Sequence, residues 1–281
     1  MKTNEINIRD PFVVFKDGTY YMYGTRGKDF GIKTGGFDVY TSKDLIEWSA
    51  PVECFSSEKY GLNSASNWAP EVHEYKGSYY MFATFLKPEG LRGTYILKSD
   101  SLTGPFEPWS EGAATPDGWE CLDGTLYVSK DGEPYIVFCH EHTQIIDGTI
   151  CYQRLSDDLK HAEGEPVTLF SASSCGWGPL GDGHYITDGP FMHRTQDGTL
   201  LMIWSTFIEG QYAVCVVKFT DGELNENFEH LAPILDNDGG HGMIFGDESS
   251  LYLSVHTPNK SLLERPVFIK IHEEGGKITL A

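Results

Sequence analysis

A chain of 281 residues, 40 % hydrophobic and 13 % aromatic, carries enough apolar side chains to bury a large core and too many to remain disordered. Its formal net charge of −20 repels phosphate backbones and anionic lipid surfaces, which excludes nucleic acid and membrane surfaces as expected partners. No apolar run approaches the roughly 20 residues of a membrane-spanning helix.

The opening stretch, MKTNEINIRDPF, lacks the apolar segment of a secretory leader, so a cytoplasmic location is expected, or a secreted or periplasmic one if a leader has been removed. The next elements form a series. DPFVVFKDGTYYMYGT from Asp10 reads as two β-rich runs around the turn Asp17-Gly18. PEVHEYKGSYYMFAT from Pro70 repeats that pattern around Lys76-Gly77. LDGTLYVSKDGEPYIVFCH from Leu122 and TDGPFMHRTQDGTLLMIWS from Thr187 repeat it around Asp131-Gly132 and Asp197-Gly198. GGHGMIFGDESSLYLSVH from Gly239 is the last copy. Segments between them, such as VYTSKDLIEWS and YILKSDSLTGPFEPWS, supply further strands.

The leading polar residues of the copies, Asp10, Glu71, Asp123, Asp188 and His241, are 61, 52, 65 and 53 positions apart, about one four-stranded propeller blade each. The chain is therefore expected to be all-β, a five-bladed β-propeller forming one domain over 1–281. The last copy is followed by too few residues for a full blade, so INI at 6–8 is expected to complete it, the N-terminal strand closing the ring. A β-sandwich predicts turns every 8 to 12 residues but no repeat near 55. The six cysteines, Cys54, Cys121, Cys139, Cys151, Cys175 and Cys215, include no CxxC pair and are expected as buried thiols.

In a propeller the first strand of each blade lines the axis, so the five leading residues are expected around one opening. Four carboxylates and a histidine crowded together cost electrostatic free energy unless a cation or a reaction uses them. Paired carboxylates across a pocket point to glycoside hydrolysis, one protonating the leaving oxygen and the other activating water or attacking carbon. Phe12, Trp68, Trp177 and Phe191 lie near strand starts, where each either stacks on a sugar ring or packs the core. Arg265 either reaches the pocket to pair with a carboxylate or a sugar hydroxyl, or pairs with Glu264 at the surface. His140, His142, His184 and His256 fall near strand ends or loops. No GxSxG, P-loop, GxGxxG or HExxH motif occurs in a suitable context.

At RDPF, NWAPEV, LDGTLYV, DGPF and GHGMIF, in that order, the chain resembles family 43 glycoside hydrolases. The resemblance spans nearly the whole chain and implies a five-bladed propeller that inverts anomeric configuration and acts on arabinosyl and xylosyl linkages. It implies Asp10 as the general base, Asp123 as the carboxylate that tunes and orients the acid, and Asp188 in the acid position. The chain departs from the family pattern there, since DGP replaces EGP and aspartate is one methylene shorter. Glu141, at the end of the second strand of blade three, and Glu71, leading blade two and also a candidate sugar contact, are the alternative acids. The resemblance also implies that His241 borders a structural calcium ion in the central channel, with water in its shell.

The expected function is an inverting, exo-acting α-L-arabinofuranosidase or β-xylosidase on plant-type oligosaccharides. The alternatives are a glycan-binding propeller without hydrolysis, or a five-bladed glycosidase acting on galactosyl or fructosyl units. The loops at 26–38 and 171–186 are expected to decide whether the opening is a pocket or a groove. Composition and motifs do not set the oligomeric state.

Overall fold

The computed structural model describes residues 1–27, 35–176, 180 and 182–281. Among these, five antiparallel sheets of four strands follow one another along the chain, each a simple meander. Blade one holds β1 (Ile8–Lys16), β2 (Thr19–Arg26), β3 (Gly36–Ser42) and β4 (Val52–Ser56). Blade two holds β5 (Trp68–Tyr75), β6 (Ser78–Leu86), β7 (Arg92–Ser99) and the short β8 (Glu107–Pro108). Blade three holds β9 (Cys121–Val128), β10 (Pro134–His140), β11 (Thr149–Leu155) and β12 (Ala162–Ser171), with a single turn of helix, α1 (His142–Ile145), after β10. Blade four holds β13 (Asp188–Arg194), β14 (Leu200–Ile208), β15 (Gln211–Phe219) and β16 (Phe228–Leu235). Blade five holds β17 (Gly240–Gly246), β18 (Leu251–Thr257), β19 (Arg265–Glu274) and β20 (Lys277–Leu280).

The first strands touch in cyclic order, β1 to β5 to β9 to β13 to β17 and back to β1, which makes the sheets a propeller around one axis. Each of the five sequence repeats is the inner hairpin of one blade. The apolar faces bury against neighbouring blades, so the core is distributed between them: Phe82 and Ile96 meet Phe138 and Cys151, and Trp204 and Val217 meet Val137 and Phe170. All six cysteines are free thiols, five of them buried.

Closure differs from the expectation in one detail. The turn at Gly275-Gly276, with φ of 58° and 70°, folds the C-terminal residues back as β20, so β19 already has its partner and 6–8 does not enter blade five. The N-terminal segment closes the ring through side chains instead. The Asn7 side-chain amide donates to the Glu264 carbonyl at 2.9 Å, and the Arg9 guanidinium meets the Glu264 carboxylate at 2.7 Å.

Every inner hairpin carries the same β-bulge. Three steps along the first strand match two along the second, from Arg9/Thr25 to Phe12/Tyr23, Trp68/Thr84 to Glu71/Phe82, Leu122/Cys139 to Thr125/Val137, Asp188/Ser205 to Phe191/Ile203, and Gly240/His256 to Met243/Ser254. The residue that opens the bulge is left-handed in every blade: Asp10 (φ 54°), Ala69 (45°), Asp123 (56°), Gly189 (45°) and His241 (49°). Four of these five carry a Cβ, in a backbone region that costs on the order of 1–3 kcal/mol per residue. Strain repeated at one ring of positions marks the end of the propeller where chemistry is sought.

Candidate active site

The bulges redefine which residues are equivalent. The ring positions are Asp10, Ala69, Asp123, Gly189 and His241, whereas Asp188 stands one residue before its bulge and Glu71 two residues after its own. The expected ring of Asp10, Glu71, Asp123, Asp188 and His241 is corrected accordingly. The physical consequence is exposure: the side chains of Asp10 and Asp123 are 8 % and 4 % exposed, that of Asp188 26 %. Two aspartates form the floor of the opening, and the third stands at its rim.

His241 binds the three together. Its Nδ1 lies 3.3 Å from Asp10 Oδ1, 3.4 Å from Asp188 Oδ1 and 3.8 Å from Asp123 Oδ2. Burial alone would depress the imidazole, but the three carboxylates push it well above its ordinary value, so His241 is the internal counter-cation of the cluster. Asp10 is also buried, which disfavours its charge, yet His241, Arg9 and a 2.6 Å hydrogen bond donated by the Thr25 hydroxyl hold its carboxyl below the usual range. Asp123 goes the other way: burial and the neighbouring Asp188 charge raise it well above that range. Burial also opposes ionisation of Asp188, but its hydrogen bonds with Asp123 and His241, and one from Tyr212, hold it low. Asp123 and Asp188 are pushed in opposite directions and so form one coupled pair that shares a proton, beside an ionised Asp10.

A cavity of about 210 Å³ opens over this cluster, lined by Asp10, Asp123, Asp188 and His241 below and by Trp68, Arg92, Glu141 and His142 at the side. Arg92 lies over the Trp68 ring at 4.9 Å and reaches the Glu141 carboxylate at 3.0 Å. Glu141 is buried at the N-terminus of α1 and lies 3.3 Å from His142, whose Nδ1 is 2.9 Å from that of His184. Glu141 is therefore an ion-paired residue of the cavity wall.

The remaining predicted residues fall elsewhere. Phe12 and Phe191 belong to non-adjacent blades yet meet edge to face at 6.0 Å, so they plug the axis beneath the cluster and do not stack on a sugar. Their strand positions, two beyond the bulge, direct them into the channel. Glu71 shares that level, buried 3.1 Å from His73 and outside the open cavity, bordering only a small void with Phe12 and His241. Arg265 is also outside the cavity: its guanidinium donates to the carbonyls of Asn4 at 3.0 Å and Glu264 at 2.7 Å, and the Glu264 carboxylate is already taken by Arg9. His140 pairs with Gln144 at 2.7 Å, and His256 lies fully buried, accepting the Asp10 N–H at 3.2 Å. Trp177 lies outside the described residues.

Sequence reasoning missed Arg92, which starts a third strand where no repeat marks it, and Tyr212. The Tyr212 hydroxyl donates to Asp188 Oδ2, and its ring passes so close to Gly240 that a Cβ there would stand 2.3 Å from the ring. The glycine flanking His241 was visible in the sequence; the tyrosine that requires it was not.

Asp123, Asp188 and His241 each offer a ligand atom within 4.8 Å of the others. Two carboxylates suit calcium, which takes roughly 6–8 oxygen ligands, so water or carbonyls would supply most of a shell here.

The sequence profile of Glycosyl hydrolases family 43 matches residues 4–269. Among solved structures, the chain is similar to an endo-arabinase from Bacteroides thetaiotaomicron VPI-5482, with 38 % identity, a TM-score of 0.90, and 99 % of this chain and 98 % of that one covered. It is also similar to a thermostable family-43 glycoside hydrolase (24 % identity, TM-score 0.86, 100 % and 96 % covered). A third is a family 43 β-xylosidase/α-arabinofuranosidase from a compost microbial metagenome, in complex with xylotriose and in a calcium-free form (17 %, 0.77, 98 % and 94 %). Among curated proteins none matches the chain significantly.

Proposed function

The chain belongs to glycosyl hydrolases family 43 and is a glycosidase acting on O-glycosidic bonds; on that footing we propose that it hydrolyses α-L-arabinofuranosyl or β-xylosyl linkages with inversion, working as one catalytic unit over 1–281. The observation that carries the reading is geometric: Asp10 and Asp123 share one strained conformation on the floor of the opening, Asp188 stands at the rim, and all three carboxylates lie within 3.8 Å of His241 Nδ1. Asp10, held ionised, acts as the general base that takes a proton from water. The Asp123–Asp188 pair holds the proton that Asp188, at the rim, gives to the leaving oxygen. Asp188 stands at the rim, which supports its role as the acid despite its short side chain. Glu141, clamped by Arg92 and His142, fixes the wall that orients the sugar.

Asp10 Oδ1 and Asp188 Oδ1 both lie within 3.4 Å of one nitrogen, so they are at most about 7 Å apart. That bound covers the roughly 5–5.5 Å separation of retaining enzymes as well as the edge of the roughly 6.5–9.5 Å of inverting ones, so the proposal of inversion rests on the family resemblance and the product anomer decides it. A calcium ion would be held by Asp123, Asp188 and a deprotonated His241 ring, with water completing its shell, so it would replace the imidazolium proton as the charge that balances the carboxylates.

End-wise cleavage is supported by the cavity, whose volume is below the roughly 300–1,000 Å³ of drug-sized sites and suits a single sugar residue. Internal cleavage of arabinan is the second reading, supported by the 38 % identity to a protein described as an endo-arabinase. Hydrolysis of arabinosyl, xylosyl and galactosyl nitrophenyl substrates, with product sizing on arabino-oligosaccharides, tests both. We expect turnover on an arabinosyl or xylosyl substrate with monosaccharide as the first product. Asp10→Ala and Asp123→Ala are expected to lower kcat by at least about a thousandfold; full activity in either variant would overturn the assignment of that residue.

A further inference from the structure

The five bulges also carry a hydrogen-bonding repeat, and its single departure lies at the reacting groups. In four blades the N–H of the left-handed residue donates to a side chain on the second strand of the preceding blade. Ala69 donates to Thr25 Oγ1 at 2.7 Å, Asp123 to Thr84 Oγ1 at 2.9 Å, His241 to Ser205 Oγ at 2.8 Å and Asp10 to His256 Nδ1 at 3.2 Å. Each acceptor sits opposite the residue that precedes its own bulge: Thr25 opposite Arg9, Thr84 opposite Trp68, Ser205 opposite Asp188 and His256 opposite Gly240. The corresponding residue of blade three, opposite Leu122, is Cys139. A thiol is a weak acceptor. The Gly189 N–H, which has this position as its counterpart acceptor, donates instead to Asp123 Oδ2 at 3.1 Å.

Blade one shows what a hydroxyl does there. Thr25 takes the Ala69 N–H and donates its own hydrogen to Asp10 Oδ2 at 2.6 Å, so the amide reaches the carboxylate only through the threonine. In blade three the amide reaches Asp123 directly. Cys139 is fully buried near Asp123 and Asp188, its thiol against the Thr187 hydroxyl. We propose that Cys139 is a positioning residue: by offering no strong acceptor, it commits the Gly189 N–H to Asp123 and fixes that carboxyl toward Asp188. The difference between Thr25 and Cys139 is then what gives two equivalent aspartates two different settings.

The proposal rests on the catalytic reading above, and its test separates the two. Cys139→Thr and Cys139→Val have the same shape and differ in a hydroxyl; Cys139→Ser and Cys139→Ala form a smaller pair should the branched ones fail to fold. The hydroxyl-bearing variant is expected to lower kcat about tenfold or more at unchanged KM, and its apolar partner to stay within about threefold of the native enzyme. Equal losses within a pair, or native kcat in the hydroxyl-bearing variant, would overturn the proposal. A crystal structure of the hydroxyl-bearing variant decides without substrate: the Gly189 N–H is expected on the introduced hydroxyl and off Asp123. If it still meets Asp123, the positioning role is refuted whatever the activity. If the native protein turns over no substrate while the amide does switch, the catalytic reading fails and the positioning inference stands.

Discussion

At the residue scale the site depends on what surrounds three short carboxylates. Tyr212 is the side chain that most directly sets Asp188, donating its hydroxyl to the oxygen that does not face His241. A hydrogen bond to a charged group contributes about 1.5–3 kcal/mol. Tyr212→Phe is therefore expected to lower kcat by roughly 10- to 100-fold with little change in KM, because the phenol touches Asp188, the proposed acid, and not the cavity. Steady-state kinetics check it; a variant that loses KM alone would mean Tyr212 shapes the sugar site. Asp10, Asp123 and His241 were legible in the sequence because their type and strand position recur. Asp188 and Glu71 were placed on the ring by spacing, and spacing cannot see a bulge that moves equivalence by one or two residues. Phe12 and Phe191 looked like sugar platforms for the same reason: strand starts carry aromatics whether they face the cavity or the channel below it.

At the element scale the unit is the bulged inner hairpin. Its turns were readable, since Asp17-Gly18, Lys76-Gly77 and Gly198 adopt the left-handed angles such turns need. The bulge was not readable, because no residue type is required at it: aspartate, alanine, glycine and histidine all occupy it. What holds it is tertiary, an amide of one blade satisfied by a side chain of the preceding one. Thr84→Val removes the acceptor for the Asp123 N–H and leaves that buried donor unpaired, at a cost of about 1–3 kcal/mol. Chemical denaturation is expected to show that loss together with reduced kcat. A loss of stability at native kcat would show that the bulge of blade three is not needed to place Asp123.

For the whole molecule, the repeat and its count of blades followed from periodicity alone, while the closure did not. The fourth strand of blade five is made by a glycine turn near the C-terminus, and β20, only four residues long, is too short to give a periodic signal. The two ends of the chain are instead joined by the Arg9–Glu264 pair, with Glu264 fully buried. Removing one partner of a buried pair strands the other, costing about 3–5 kcal/mol. Glu264→Ala is thus expected to lower Tm by on the order of 10 °C. An unchanged Tm would place ring closure in the apolar contacts of Ile6 and Ile8 alone.

The central claim is that Asp10 delivers water to the anomeric carbon while Asp188 protonates the leaving oxygen. NMR of the first-formed sugar from a nitrophenyl arabinofuranoside or xyloside, read before mutarotation, tests it most directly. The account predicts a product of inverted anomeric configuration; a retained configuration would require a covalent nucleophile and would contradict it.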